Sequence, residues 1–203
     1  MPRAEKIGIL GGTFDPPHSG HIALARIAET EAGLDRVLFV VAKEPPHKAH
    51  HVFAKPMQRW ALVQAALQNE PNFEPCDVEL QREGPSYTAD TVEQLHARYP
   101  HAQLYLILGA DALQDFPRWH QPERILQWAY LLAAPRAGSD TYVPPSLQGR
   151  CTVLRSVPPD ISSTLIRQKI ERGESIHGLV PDPVEGLIRQ WRLYHAVSES
   201  APR

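Results

Sequence analysis

The sequence predicts an α/β fold with an open, mainly parallel β-sheet and helices on both faces. Short apolar runs rich in Val, Ile and Leu alternate along the chain with segments of helical periodicity. The apolar runs lack polar alternation, which is typical of strands that are covered on both faces. Alternation of strands and helices favours a parallel sheet whose strands are joined by helical crossovers. The expected architecture is therefore Rossmann-like.

The predicted strands are continuous apolar runs, namely Lys6–Leu10, Val37–Ala42, Leu104–Leu108, Tyr130–Ala134 and Thr152–Val157. The predicted helices carry apolar residues at helical spacing, in Ile22–Ala32, Pro56–Leu67 and Thr88–Tyr99, in a segment that ends at Gly173, and in one that begins at Asp182. Thr88 and Ser162 are expected to cap their helices. Gly173 is a typical helix stop.

Composition and charge exclude several classes of protein. Hydrophobic residues make up 42% and charged residues 22% of the 203 residues, which argues against a disordered chain and a coiled coil. The longest clean apolar run has about seven residues, against the roughly 20 of a membrane helix. A net charge of −2 gives no general attraction to nucleic acid. We expect a single domain over 1–203, with a C-terminal helical part from about 162 to 195.

The cysteines and the N-terminus predict a cytoplasmic location. Cys76 and Cys151 lie far apart in the sequence and form no disulfide framework, which is the default in a reducing compartment. The N-terminal residues contain no long apolar stretch of the kind found in secretory signals.

The first chemical motif is the loop GGTFDPPHSGH at 11–21, between a predicted strand and a predicted helix. Ligands of open α/β sheets bind beyond the carboxyl ends of strands, and a helix start favours phosphate. His18 and His21 are three residues apart across that helix start, so their side chains can share a face. Asp15 precedes Pro16 and is expected to fix the turn through its own backbone, because a free carboxylate would repel a polyphosphate.

A second motif, ISSTLIR at 161–167, opens another predicted helix. Ser162 is expected to cap this helix, which leaves Ser163, Thr164 and the helix start to face an anion, with Arg167 one turn further on. Taken alone, the segment is also explained as an ordinary capped surface helix. Its pairing with the histidine loop favours the phosphate-binding interpretation.

Both motifs resemble signatures of a known superfamily. The loop GGTFDPPHSGH resembles the HxGH element of the nucleotidyltransferases, and ISSTLIR resembles their second signature, which holds the β- and γ-phosphates of ATP. Further segments resemble the nicotinate-mononucleotide adenylyltransferases in order and spacing, namely Pro45–Lys48, Glu83–Thr91, Leu106–Asp111, Phe116–Trp119 and Leu179–Pro181. The resemblance extends from about Ile7 to Tyr194. One departure is Pro135-Arg136-Ala137-Gly138, where the family usually has Arg-Pro-Gly.

The resemblance implies transfer of the adenylyl group of ATP to nicotinate mononucleotide, which gives deamido-NAD and pyrophosphate. The catalytic residues that it implies are His18 and His21. The ATP-binding residues that it implies are Gly11, Gly12, Thr13, Phe14, Gly109, Asp111, Ile161, Ser163, Thr164 and Arg167. The mononucleotide-binding residues that it implies are Lys48, Tyr87, Thr88, Trp119 and Arg136. Core packing is an alternative for Tyr87 and Trp119, and a helix cap is an alternative for Asp111.

Mg²⁺ is expected as the cofactor, carried in with ATP, because this ion keeps waters and binds substrate phosphates. No metal site made by the protein is expected, since His47, His50 and His51 have no fourth ligand nearby. No nucleic acid or membrane partner is expected, and the sequence leaves open whether the chain forms a homo-oligomer. A preference for nicotinamide mononucleotide and a non-catalytic nucleotide-binding regulator of the same fold remain alternatives.

Overall fold

Six parallel strands form one sheet in the computed structural model of the chain, which describes residues 3–45, 52–138 and 141–195. In chain order the strands are β1 (Lys6–Gly12), β2 (Arg36–Val41), β3 (Phe73–Cys76), β4 (Gln103–Gly109), β5 (Ala129–Ala134) and β6 (Cys151–Val153). Their spatial order is β3-β2-β1-β4-β5-β6, and each neighbouring pair is parallel. The predicted fold class is confirmed.

Seven α-helices lie between or after these strands in the described part of the chain: α1 (Ser19–Ala32), α2 (Pro56–Ala66), α3 (Thr88–Arg98), α4 (Ala110–Asp115), α5 (Pro122–Trp128), α6 (Ser163–Glu171) and α7 (Asp182–Gln190). None of these helices is long and apolar enough to cross a membrane. The thiols of Cys76 and Cys151 are both free.

The core has two parts, one on each face of the sheet. Because side chains alternate along a strand, Phe39 of β2 packs on one face and Leu38 on the other. The first face is covered by α1, α2, α6 and α7, and the second by α3 and α5. The predicted helices on both faces are confirmed.

The strand order reverses direction at β1, which pairs with β2 on one side and β4 on the other. The β1–β4 pairing ends at Ile9 and Leu106, so the last three residues of each strand extend past it to Gly12 and Gly109. A crevice at such a reversal is the usual ligand site of open α/β sheets. The fold therefore places the GGTFDPPHSGH loop at the expected binding edge.

Several elements differ from the prediction. The strand predicted over Thr152–Val157 ends at Val153, because the main-chain N–H groups of Arg155 and Ser156 donate to the Glu31 carboxylate at 2.6 and 2.9 Å rather than continuing a strand. The edge strand β3 was not predicted, and neither were the short helices α4 and α5.

Candidate active site

Asp15 anchors the loop that follows β1. It is only 2% exposed, and its carboxylate accepts hydrogen bonds from Phe53 N at 2.7 Å, Ala54 N at 3.1 Å and the Tyr194 hydroxyl at 2.7 Å. The structural role expected for Asp15 is confirmed. The turn is held by these distant partners, however, so the expected bonding to its own local backbone is wrong.

His18 and His21 lie together at the start of α1, as their spacing predicts. The two rings stack with centroids 3.6 Å apart and an interplanar angle of 25°. The His18 N–H donates to His21 Nδ1 at 3.2 Å, so a neutral His21 ring carries its proton on Nε2. Phe14 packs edge-on against the His21 ring with centroids 5.0 Å apart. These contacts fix both the orientation and the tautomer of His21.

The His18 ring is buried at the start of α1. It is 6% exposed, and burial lowers the pKa of His18 to about 4. Its Nδ1 atom has no hydrogen-bond partner among the described residues. His18 is therefore a neutral imidazole at neutral pH when no ligand is bound, and a buried, unpaired polar atom is available there.

Gly20 explains why the HxGH element needs glycine between its histidines. A Cβ at this position would lie 3.0 Å from His18 Nδ1, 3.2 Å from His18 Cε1 and 3.3 Å from Pro159 O. The His18 ring therefore occupies the space that any larger side chain at Gly20 would need. By contrast, a Cβ at Gly11 or Gly109 would meet nothing within 4 Å, which leaves room beside the crevice.

The start of α1 is also tied to the segment before α7. The Ser19 N–H donates to Leu179 O at 2.9 Å, and the Ser19 hydroxyl donates to Gly178 O at 3.1 Å. One of the N–H groups expected to face phosphate is thus used within the protein. This contact fixes the direction of the helix start relative to the sheet.

The second motif docks onto the first. Ser162 caps α6 as predicted, because its hydroxyl accepts from Leu165 N at 3.1 Å. The Ser163 hydroxyl donates to Pro16 O at 2.8 Å. Arg167 donates to Asp15 O at 2.8 Å and to the Thr164 hydroxyl at 3.2 Å. The structure thus joins both predicted phosphate-binding segments at one point.

At the end of β4, Gly109 is the N-cap residue of α4 and Asp111 lies in the first turn of that helix. The Asp111 carboxylate is exposed and pairs with the Arg136 guanidinium, at 3.3 Å. The alternative of a capping role for Asp111 is not supported, because α4 has no side-chain cap hydrogen bond. Arg136 therefore lies beside a residue that the resemblance assigns to ATP, whereas the resemblance assigns Arg136 itself to the mononucleotide.

The residues expected to hold the pyridine ring lie near the start of α3. Tyr87 is the N-cap residue and Thr88 the first helical residue, so the predicted capping by Thr88 is wrong. Tyr87 stacks on His120 with centroids 4.0 Å apart, which is a surface contact rather than core packing. Trp119 packs on Phe116 at 5.4 Å and joins the edge of the core. Lys48, with His47, His50 and His51, lies outside the described residues.

Arg59 of α2 was missed by sequence reasoning. Its side chain is fully buried, and burial lowers the pKa of its guanidinium. The guanidinium donates to Thr13 O at 2.8 Å, Ala42 O at 2.6 Å, Lys43 O at 3.2 Å and Ala54 O at 3.2 Å. It joins the loops after β1 and β2. The one sequence signal is an Arg on the apolar face of a predicted helix.

A buried network fixes the segment that leads into α3. The Ser86 hydroxyl accepts from Lys43 N at 3.0 Å and from Glu44 N at 3.2 Å. The Thr91 hydroxyl donates to Glu79 at 2.6 Å, and burial raises the pKa of the Glu79 carboxyl. The Ser86 side chain therefore links the loop after β2 to the segment before α3, and Arg59 links the loop after β2 to the loop after β1.

One group of side chains in the described part of the chain has metal-like spacing. Ligand atoms of His177, Asp182 and Glu185 all lie within 4.8 Å of one another. Glu185 already pairs with Arg189, and the other two side chains are largely exposed. Nothing at this group indicates that it holds an ion.

Comparison of the sequence with known proteins identifies the family of this chain. The family model described as cytidylyltransferase-like matches residues 9–169. A probable nicotinate-nucleotide adenylyltransferase of Exiguobacterium sibiricum is 41% identical, over 93% of this chain and 98% of its own length. The nicotinate-nucleotide adenylyltransferase of Bacillus subtilis is 37% identical, over 95% of this chain and 100% of its own length.

Solved structures agree with the fold. The nicotinic acid mononucleotide adenylyltransferase of Plasmodium falciparum, complexed with NaAD, superposes with a TM-score of 0.77. The match covers 94% of this chain and 97% of that one, at 17% identity. The resemblance predicted from the motifs is confirmed by the sequence relatives and by the family model. The chain belongs to the nicotinate-nucleotide adenylyltransferase family, within the cytidylyltransferase-like proteins.

Proposed function

We propose that this nucleotidyltransferase transfers the adenylyl group of ATP to nicotinate mononucleotide, forming deamido-NAD and releasing pyrophosphate. The observation that carries the proposal is the stacked pair His18 and His21 at the reversal of the sheet, with α6 docked beside it. Family membership supports the same reaction. The histidine pair, Ser163 and Arg167 together provide donors and charge where a triphosphate would lie.

The reaction needs positioning and charge neutralisation rather than a general base. The attacking group is a phosphate monoester, whose second pKa is about 6, so it is mostly dianionic at neutral pH. A phosphate oxygen of the mononucleotide bonds to the α-phosphorus of ATP, while the bond from that phosphorus to the bridging oxygen of pyrophosphate breaks. His21 donates from Nε2 toward charge that develops on the α-phosphate oxygens.

His18 responds to the ligand through its protonation state. Its pKa is lowered to about 4 by burial in the ligand-free protein. A polyphosphate beside the ring favours the imidazolium form, because an opposite charge nearby raises the pKa of a histidine. We therefore expect ATP binding to raise the pKa of His18.

Ser163, Thr164 and Arg167 would grip the leaving pyrophosphate. In the ligand-free chain the Ser163 hydroxyl and one nitrogen of Arg167 donate to main-chain carbonyls of the histidine loop. A guanidinium has five N–H donors, so Arg167 can brace the loop and contact phosphate at once. The docking contact would thus set the distance between the two phosphate-binding segments.

The histidine loop has no carboxylate left to hold a metal ion, which fits a Mg²⁺ ion that is carried in by ATP. Asp15 is the carboxylate of the histidine loop, and three hydrogen bonds from the protein already occupy it. Mg²⁺ keeps several waters and binds substrate phosphates, so it does not require a protein cage. When bound, the ion would neutralise charge on the polyphosphate.

The pyridine ring would lie between the start of α3 and Trp119. Thr88 is the first residue of α3, where main-chain N–H groups and the helix dipole favour a carboxylate. Trp119 would stack on the ring. This placement favours nicotinate over nicotinamide, because the amide would set its own NH₂ donors against those N–H groups.

The test is pyrophosphate release from ATP in the presence of nicotinate mononucleotide or nicotinamide mononucleotide. Release with the acid and little with the amide is expected. Pyrophosphate release only with nicotinamide mononucleotide would show that the amide, and not the acid, is the substrate. ATP binding without release of pyrophosphate from ATP in the presence of either mononucleotide would favour the non-catalytic regulator.

A cytoplasmic location is part of the proposal. The two free thiols, Cys76 and Cys151, fit a reducing compartment.

A further inference from the structure

Two residues shortly after α7 have an unusual backbone conformation, and one of them places its side chain at the histidine loop. Arg192 and Tyr194 have φ angles of 51° and 65°, in the left-handed region that non-glycine residues seldom adopt. Between them Leu193 packs against the core on the α1 side of the sheet, and the half-buried Tyr194 ring packs there too. The segment is therefore held in place by packing, with the Tyr194 hydroxyl directed inward.

The Tyr194 hydroxyl contacts the Asp15 carboxylate. The Tyr194 hydroxyl donates to Asp15 Oδ1 at 2.7 Å, while Phe53 N and Ala54 N donate to the same carboxylate. Burial and the neighbouring Asp15 charge raise the pKa of Tyr194 well above its usual range, so the hydroxyl keeps its proton and remains a donor.

Asp15 also links this contact to the groups expected to meet ATP. Its main-chain carbonyl accepts from Arg167 at 2.8 Å, and the next carbonyl, that of Pro16, accepts from the Ser163 hydroxyl at 2.8 Å. His18 follows two residues later. A shift of the Asp15 side chain would therefore move three proposed phosphate-binding residues together.

We propose that Tyr194 is a positioning residue for adenylyl transfer, acting through Asp15 on the loop that carries His18 and on Arg167. The inference rests on the proposed function. A purely structural hydroxyl would stabilise the fold without affecting how ATP is held. The two roles differ in what they predict for the substrates, since Tyr194 bonds directly to the loop that carries His18. The segment at Tyr87 and Thr88 is connected to that loop only at a distance, through Arg59, Lys43 and Ser86.

The experiment compares Tyr194→Phe with Tyr105→Phe, which removes the same atom from a tyrosine that bonds Gln103 at 3.1 Å in β4, away from the crevice. For wild type and both variants, KM for each substrate and kcat are measured, together with ATP affinity by calorimetry without mononucleotide. We expect Tyr194→Phe to weaken ATP binding and to lower kcat/KM for ATP by about tenfold, because small misplacements of reacting groups are costly. KM for the mononucleotide should stay within about twofold of wild type, and Tyr105→Phe should match wild type throughout.

A double-mutant cycle with Asp15→Asn tests the route of the effect. If the hydroxyl acts through the Asp15 carboxylate, Tyr194→Phe should add little to the loss of ATP affinity in the Asp15→Asn protein. Full additivity would overturn the proposal. So would a Tyr194→Phe protein that loses thermal stability but keeps wild-type ATP affinity and kinetics.

The calorimetric measurement separates this proposal from the proposed function. Wild-type protein that binds ATP but releases no pyrophosphate with nicotinate mononucleotide would end the proposed function. The change in ATP affinity on Tyr194→Phe would still support or overturn the positioning role.

Discussion

Gly20→Ala should displace the His18 ring while leaving the stability of the fold nearly unchanged. The added Cβ would lie 3.0 Å from His18 Nδ1 and 3.3 Å from Pro159 O, closer than ordinary van der Waals contact. Since the Pro159 contact is main chain, the His18 ring has to yield by a few tenths of an ångström. A displacement of about 1 Å can cost on the order of 100-fold in rate, so a displacement of a few tenths of an ångström should lower kcat/KM by about 3- to 10-fold.

The stability of Gly20→Ala should change much less than its activity. Gly20 is the second residue of α1, and alanine favours a helix over glycine by up to about 1 kcal/mol. This gain opposes the crowding at His18, so the free energy of unfolding should change by less than about 1 kcal/mol. A several-fold loss of kcat/KM with little change in stability is the expected signature.

Gly186→Ala is the matched control. Gly186 lies on the exposed side of α7, and a Cβ there would meet nothing within 4 Å. This variant should gain about 0.5–1 kcal/mol of stability and keep wild-type turnover. The assay is steady-state pyrophosphate release together with urea unfolding for the three proteins. Wild-type kcat/KM in a folded Gly20→Ala protein would refute the argument that His18 placement requires glycine.

Four further predictions follow from the site. His21→Ala should lower kcat by about 100-fold or more with the fold intact, the scale of losing one donor to developing charge, as measured by turnover and circular dichroism. Arg167→Ala should weaken ATP binding more than mononucleotide binding, by about 1.5–3 kcal/mol for a charge-assisted contact, as measured by calorimetry. Thr88→Val should reduce the preference for nicotinate over nicotinamide mononucleotide while ATP affinity stays unchanged, as measured by kcat/KM for both. Finally, stability should fall at acid pH: burial lowers the pKa of His18 from 6.5 to about 4, so the unfolded chain binds a proton there that the folded chain does not. Urea unfolding should show a loss of about 2 kcal/mol from this group between pH 7.5 and pH 5, absent in His18→Gln.

Each of these predictions has an outcome that contradicts it. Near-normal turnover of folded His21→Ala would remove His21 from the chemistry. Equal loss of affinity for both substrates in Arg167→Ala would place that side chain at another subsite. An unchanged acid preference in Thr88→Val would move the carboxylate elsewhere. The same acid dependence in wild type and His18→Gln would show that other groups cause it.

The fold could be predicted where local pattern and final packing agree. Strands β1, β2, β4 and β5 are buried on both faces, so each appears in the sequence as a continuous apolar run. Strand β3 could not be recognised, because it is a four-residue edge strand, FEPC, with a glutamate and a proline. Proline is tolerated at an edge, where its missing N–H breaks no ladder.

The site could be predicted only in part, for a related reason. His18 and His21 are neighbours in sequence, so helical spacing alone brings them together. The partners that hold the loop are distant: Tyr194 reaches Asp15 across 179 positions, and Arg59 reaches Thr13 across 46. Such contacts depend on the tertiary fold and leave no local pattern.

The central claim is the choice of substrate and reaction. The most direct measurement is kcat/KM for pyrophosphate release by the wild-type protein with ATP and each of the two mononucleotides, with product identified by mass. The account predicts deamido-NAD and pyrophosphate in equal amounts, and a preference for the acid of at least about tenfold, which corresponds to about 1.4 kcal/mol. Pyrophosphate release with nicotinate mononucleotide no faster than with ATP alone would contradict it.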